Sequence, residues 1–142
     1  MAAALRPLEV LLVEDNPADA RFFRDALHLA GIRHQLSVVH NGEEALAFLR
    51  GKAPHAGAPR PGVIVLDLKL PRVSGHAVLA VIRLDPELRD IPVVVLTSSH
   101  ASRDEERSFN LQADHYVTKP IGLDVLAGEL KILEALARRD RP

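Results

Sequence analysis

Three carboxylates, one hydroxyl and one ammonium group follow the apolar runs of this chain. Glu14 and Asp15 come after Val10-Leu11-Leu12-Val13, and Asp67 comes after Val63-Ile64-Val65-Leu66. Thr97 and then Ser98 end Pro92-Val93-Val94-Val95-Leu96, and Lys119 stands just past His115-Tyr116-Val117. Carboxylates brought together repel by about 4 kcal/mol per pair at ~4 Å and an effective dielectric near ~20. Unless a cation binds, one of them takes up a proton. Oxygen-only donors favour a hard cation, and Mg²⁺ typically uses one or two protein carboxylates and keeps several waters. A cation held in that way has positions left for phosphoryl oxygens. Asp67 would then be a nucleophile that forms an aspartyl phosphate. The metal, Lys119 and the Thr97 hydroxyl would stabilise charge on the transferring group, while the small Ser98 leaves the site uncapped.

The elements that must position these groups are written in the same runs. Short β-branched stretches without alternation read as strands buried on both faces, the mark of a central parallel strand. Gln35-Leu36-Ser37-Val38-Val39 alternates and reads as an edge strand. Asn16 caps a helix with Pro17 at its first position and Asp19 in its first turn, and Gly31 ends it. Asn41 caps a second helix that Gly51 stops, and Ser74 caps a third that Asp85-Pro86 ends. Ser102-Arg103-Asp104-Glu105 fits a capping box for a fourth, poorly apolar and weakly held helix. Leu123, Leu126, Leu130, Leu133 and Ala137 form the ladder of a last one. Residues 51–62, rich in glycine, alanine and proline, are a long loop. Five strand–helix pairs in alternation predict an α/β, flavodoxin-like doubly wound (βα)5 fold with a five-stranded parallel sheet of order 2-1-3-4-5.

Taken jointly, these motifs resemble the receiver domain of two-component response regulators, from about Leu8 to Ala137. The resemblance implies that Glu14, Asp15 and Asp67 bind Mg²⁺ together with the backbone carbonyl of Lys69. It also implies that Asp67 is the phosphoacceptor, that Lys119 contacts the phosphoryl group, and that Lys119-Pro120 is a cis peptide. Thr97 would reorient on phosphorylation, coupled to Tyr116. Two features depart from the usual pattern. Lys69 puts a cation beside the acceptor, which is expected to alter the lifetime of the phosphoryl group. Ser99 offers no acidic or amide group to position water.

The rest of the sequence bounds the reading. The length of 142 residues suits one domain, expected at 8–138 between a disordered tail at 1–7 and a tail at 139–142. A net charge of −1 without a basic block gives no reason to expect a nucleic-acid or membrane partner. There is no cysteine, which excludes thiolate chemistry and agrees with a cytoplasmic location. The histidines (28, 34, 40, 55, 76, 100 and 115) show no metal spacing and read as scattered surface residues. A haloacid-dehalogenase-type phosphohydrolase would need an aspartate where Lys69 stands. A nucleotide or flavin binder would need a phosphate loop where Glu14-Asp15 stands. The expected function is a stand-alone response regulator, not an enzyme in its own right, phosphorylated by a sensor histidine kinase. The alternative is a phosphorylation-independent receiver-like binding module. The long loop and Leu96-Thr97-Ser98-Ser99-His100 are similar to regulators paired with bacterial phytochrome kinases. With five residues beyond Ala137, no output domain is expected. A second stripe on the last helix, Val125, Ile132 and Leu136, points to a homodimer through the fourth and fifth helices and fifth strand.

Overall fold

Asn16 begins the first helix by accepting hydrogen bonds on its side chain from the backbone N–H groups of Ala18 and Asp19, at 2.9 and 3.2 Å. Asn41 does the same for Glu44 at 2.8 Å, and Ser74 for Ala77 at 3.2 Å. These caps satisfy donors that the first turn of a helix leaves without partners. They set the starts of α1 (Pro17–Leu29), α2 (Gly42–Leu49) and α3 (Gly75–Leu84). Gly31 and Gly51, at positive φ, end the first two as the sequence implies.

The computed structural model describes residues 6–53 and 55–138, so most of both expected tails lies outside it. The strands are β1 (Leu8–Val13), β2 (His34–Val39), β3 (Val63–Leu66), β4 (Val93–Thr97) and β5 (His115–Thr118). All pairings are parallel and the order is β2-β1-β3-β4-β5. The fold is the flavodoxin-like one that the alternation predicts. Every residue of β3 and β4 is buried, whereas β2 at the edge is mostly half-buried. One face of the sheet packs Phe23, Leu27, Leu126 and Leu133, and the other packs Phe48, Val78, Leu79 and Ile82.

Three expectations are corrected. The capping box at Ser102 does not form: Ala101 is the N-cap of α4 (Ser102–Asn110), without a side-chain bond. Ser99, further upstream, takes over, its hydroxyl donating to Asp104 Oδ2 at 2.6 Å and accepting from Ala101 N–H at 3.3 Å. The last helix is interrupted at Lys131 into α5 (Leu123–Leu130) and α6 (Ile132–Ala137), and its core ladder of Leu126, Leu130 and Leu133 stays buried across the break. Its second stripe is no continuous exposed face, because Leu136 is buried and Ile132 packs on the core, leaving Val125 exposed. Finally, His76 is no surface residue. It is buried, with Nε2 3.0 Å from Ser108 Oγ and 3.1 Å from the Asp104 carbonyl.

Candidate functional site

The register of the sheet brings the acidic groups together. Val13 is level with Leu66, so Glu14 and Asp67 leave the sheet side by side. Thr97 is level with Thr118, so Lys119 emerges one residue further along the same edge. Parallel strands present all their carboxyl ends at one edge, where a crevice forms. Glu14 and Asp67 are buried there and Asp15 is exposed. One carboxylate oxygen from each of the three lies within 4.8 Å of the others. They line a cleft of about 640 Å³ that continues along an apolar wall including Leu12, Phe22 and Ile121.

Lys119 enters this cluster as its countercharge. Its Nζ donates to Glu14 Oε1 at 2.9 Å, to Asp19 Oδ2 at 3.1 Å and to Asp67 Oδ2 at 3.3 Å. An ammonium has three hydrogens, so every donor is engaged. Burial alone would lower the Lys119 pKa, but the bond to Glu14 and the charges of Asp67 and Glu14 outweigh it. The net shift is upward, so the side chain stays protonated. Glu14 also shifts upward, because burial outweighs the bond and charge of Lys119, with the nearby Asp67 adding to the rise. Burial thus dominates at Glu14, whereas the neighbouring carboxylates dominate at Lys119.

Asp67 is oriented from its other side. Its Oδ1 accepts the backbone N–H of Lys69 at 3.0 Å, while the Lys69 side chain is exposed at the cleft rim. The loop after β3 returns tightly, with Gly75 N–H donating to the Leu68 carbonyl at 3.0 Å. A Cβ at position 75 would collide with the Asp67 carbonyl oxygen and the Leu68 backbone. Only glycine therefore lets α3 start against the loop after β3.

Thr97 and Tyr116 sit differently from the carboxylates. Thr97 is fully buried, and its Oγ1 accepts the Ser99 N–H at 3.3 Å; Ser98, not Thr97, lines the cleft. The Tyr116 hydroxyl donates to the Ser99 carbonyl at 3.3 Å, and burial pushes its pKa up. Ser99 is thus the shared neighbour of both. The Lys119-Pro120 peptide is cis, and Lys119 N–H is held by the Thr97 carbonyl at 2.7 Å.

Sequence reasoning passed over two residues of this site. Asp19 was legible only as a first-turn acid, since its contact with Lys119 spans 100 positions of chain. Gly75 carried a usable signal, because glycine is a poor helix former at the start of a helix. The all-oxygen donor set of Glu14, Asp15 and Asp67 fits a hard divalent cation. No histidine joins the acidic group among the described residues.

Comparison with known proteins agrees with this geometry. The family described as the response regulator receiver domain matches residues 10–131. Response regulator Rcp1 of Synechocystis sp. is 43% identical over 113 residues, which span 80% of this chain and 77% of that protein. The crystal structure of the phosphorylated cyanobacterial phytochrome response regulator RcpA superposes with a TM-score of 0.84 at 38% identity, covering 92% of this chain and 96% of that one. The Mn²⁺-bound form of response regulator Rcp1 gives 0.82 at 39% identity, covering 96% and 99%. A receiver family match over most of the chain, on a sheet whose strand ends gather these groups, means that this protein belongs to the response regulator receiver domains of two-component systems.

Proposed function

We propose that Asp67 accepts a phosphoryl group from the phosphohistidine of a sensor kinase and that the modification switches protein–protein contacts. The observation that carries this is the Lys119 ammonium held between Glu14 and Asp67, 2.9 and 3.3 Å away, at the acidic strand ends. An Asp67 carboxylate oxygen forms the new P–O bond as the P–N bond to the donor imidazole breaks. The electron pair of that bond stays on the imidazole nitrogen. Lys119, already protonated, exchanges its Asp67 contact for a phosphoryl oxygen and stabilises the charge there. The Lys69 N–H keeps the second carboxylate oxygen in place during transfer. Glu14, Asp15, Asp67 and the Lys69 carbonyl would hold Mg²⁺, which supplies neutralising charge when bound.

Thr97 is the first element of the readout. Turning its hydroxyl toward the phosphoryl group takes it from the Ser99 N–H, and Tyr116 is tied to the same residue. The chain acts as a phosphoacceptor and not as an enzyme with turnover on a separate substrate. Its receiver unit spans 8–138, and the location is cytoplasmic, where a sensor kinase presents its phosphohistidine. No helix among the described residues is long and apolar enough to cross a membrane. The relatives named as phytochrome response regulators point to a phytochrome-type kinase as the donor.

Incubation with Mg²⁺ and acetyl phosphate, followed by mass measurement, tests the acceptor. One phosphoryl adduct is expected, absent in Asp67→Asn. No adduct overturns the reading and leaves a phosphorylation-independent binding module, while one that survives in Asp67→Asn overturns Asp67 as the acceptor. The exposed Lys69 side chain tunes adduct lifetime by acting on the attacking water; equal decay in the wild type and Lys69→Ala would refute that. A second copy docks across α4, β5 and α5 around Phe109 and Val125, which are 46% and 59% exposed. Sedimentation that finds a monomer with and without a phosphoryl mimic would exclude that dimer.

A further inference from the structure

Asp19 is a partner of Lys119 that the acceptor chemistry leaves without a task. Lys119 and a divalent cation would compete for the same carboxylates, since Nζ contacts Glu14 Oε1 and Asp67 Oδ2 directly. A cation that takes those oxygens also repels the ammonium. Lys119 is poorly placed to escape into water, because its side chain is 16% exposed. Asp19 offers the alternative. Its carboxylate lies 3.1 Å from Nζ and is 44% exposed, on the solvent side of the ion pair. Its backbone is pinned in the first turn of α1, where Asn16 Oδ1 accepts the Asp19 N–H at 3.2 Å. Negative charge is favoured at that end of a helix.

We propose that Asp19 is a positioning residue for Lys119, keeping the ammonium beside the site when a divalent cation takes over Glu14 and Asp67. This rests on the reading of Glu14, Asp15 and Asp67 as a Mg²⁺ site. With Asp19 present, Lys119 gives up two of its three carboxylates, keeps the third and stays within reach of an incoming phosphoryl group. Without it, metal binding must strand the ammonium or oppose it, so the cation binds less tightly.

Calorimetric titration of the whole chain with Mg²⁺, without phosphodonor, tests the proposal. Asp19→Asn is expected to weaken binding by on the order of tenfold, as loss of one nearby unit charge does in a partly screened site. Asp19→Glu should restore most of the affinity. The decisive arm is Lys119→Gln: in that background Asp19→Asn should change Mg²⁺ affinity little, because there is no ammonium left to hold. An unchanged affinity in Asp19→Asn overturns the proposal. So does an equal loss with and without Lys119, which would make Asp19 a plain contributor to the field. A wild type that binds no Mg²⁺ at all defeats instead the metal-site reading underneath, and wild-type adduct formation reports on that reading separately.

Discussion

The helices that flank this sheet are not all held by the same force. On the face of α1, α5 and α6 the contact is apolar: Phe23, Leu27, Leu126 and Leu133 are essentially without exposure. On the opposite face α4 buries a single residue, Ser108. What holds α4 is a chain of polar groups. Ser99 Oγ donates to the Asp104 carboxylate, and Ser108 Oγ donates to the Asp104 carbonyl at 2.8 Å. His76 Nε2 meets both Ser108 Oγ and that carbonyl, and since a carbonyl only accepts, Nε2 must carry the proton. Apolar burial is non-directional and is lost only with the fold, whereas hydrogen bonds can be exchanged one at a time for modest net free energy. The contrast teaches that Thr97 and Ser99 have a releasable element beside them on one flank and a fixed scaffold on the other.

The largest expected effect breaks the scaffold. Phe23→Ala should cost about 3–5 kcal/mol, by lost burial and the cavity left behind. Denaturant unfolding should shift as one transition, with amides of all strands losing protection together. A loss confined to α1 would show that the apolar flank is no more cooperative than α4. A smaller effect should come from the polar flank. Ser108→Ala removes only the hydroxyl at a fully buried position and leaves His76 with one acceptor, at a cost of about 1–2 kcal/mol. Hydrogen exchange should quicken for residues 102–110 while amides of β1 and β3 keep their protection. Uniform quickening would erase the distinction between the flanks.

Ser99→Ala refines this further. It should cost about 1 kcal/mol, because Asp104 is half-exposed and water replaces part of the lost bond. Exchange should quicken in the first turn of α4 and less at its end; an effect starting at Asn110 would place the hinge elsewhere. The same residues mark where sequence was readable. Strand ends and their charges were legible because burial on two faces forces uninterrupted apolar runs and parallel pairing fixes one active edge. The α4 anchor was not. Ser102 satisfies the capping pattern, but Ser99 lies where its hydroxyl reaches Asp104 first, a matter of loop path rather than spacing. His76 reads from the sequence as a surface residue, because the polar partners that bury it come from another helix. Asp19 looked complete as a helix-end charge, and only the return of Lys119 from the far end of the chain gives it a second role.

The smallest effect to be measured is an ionisation. Tyr116 is the sole tyrosine and there is no tryptophan, so the ultraviolet titration of this chain reports on it alone. Burial raises its pKa above the usual 10.0, the Ser99 side chain lowers it, and the charges of Asp104, Glu105 and Asp67 raise it again. A raised folded pKa means that the phenol's contribution to stability is fully present below the unfolded value and is lost as pH rises through the folded one. Two of those acidic groups belong to α4, and the Phe109 ring of the same helix stands 6.4 Å from the Tyr116 ring. When α4 comes away, burial and both charges recede together. The phenol midpoint should therefore fall back toward 10.0 in Ser108→Ala and stay high in the wild type. A midpoint that is the same in both proteins would mean that Tyr116 is buried by β5 and its neighbours alone, and that α4 can leave without the aromatic sensing it.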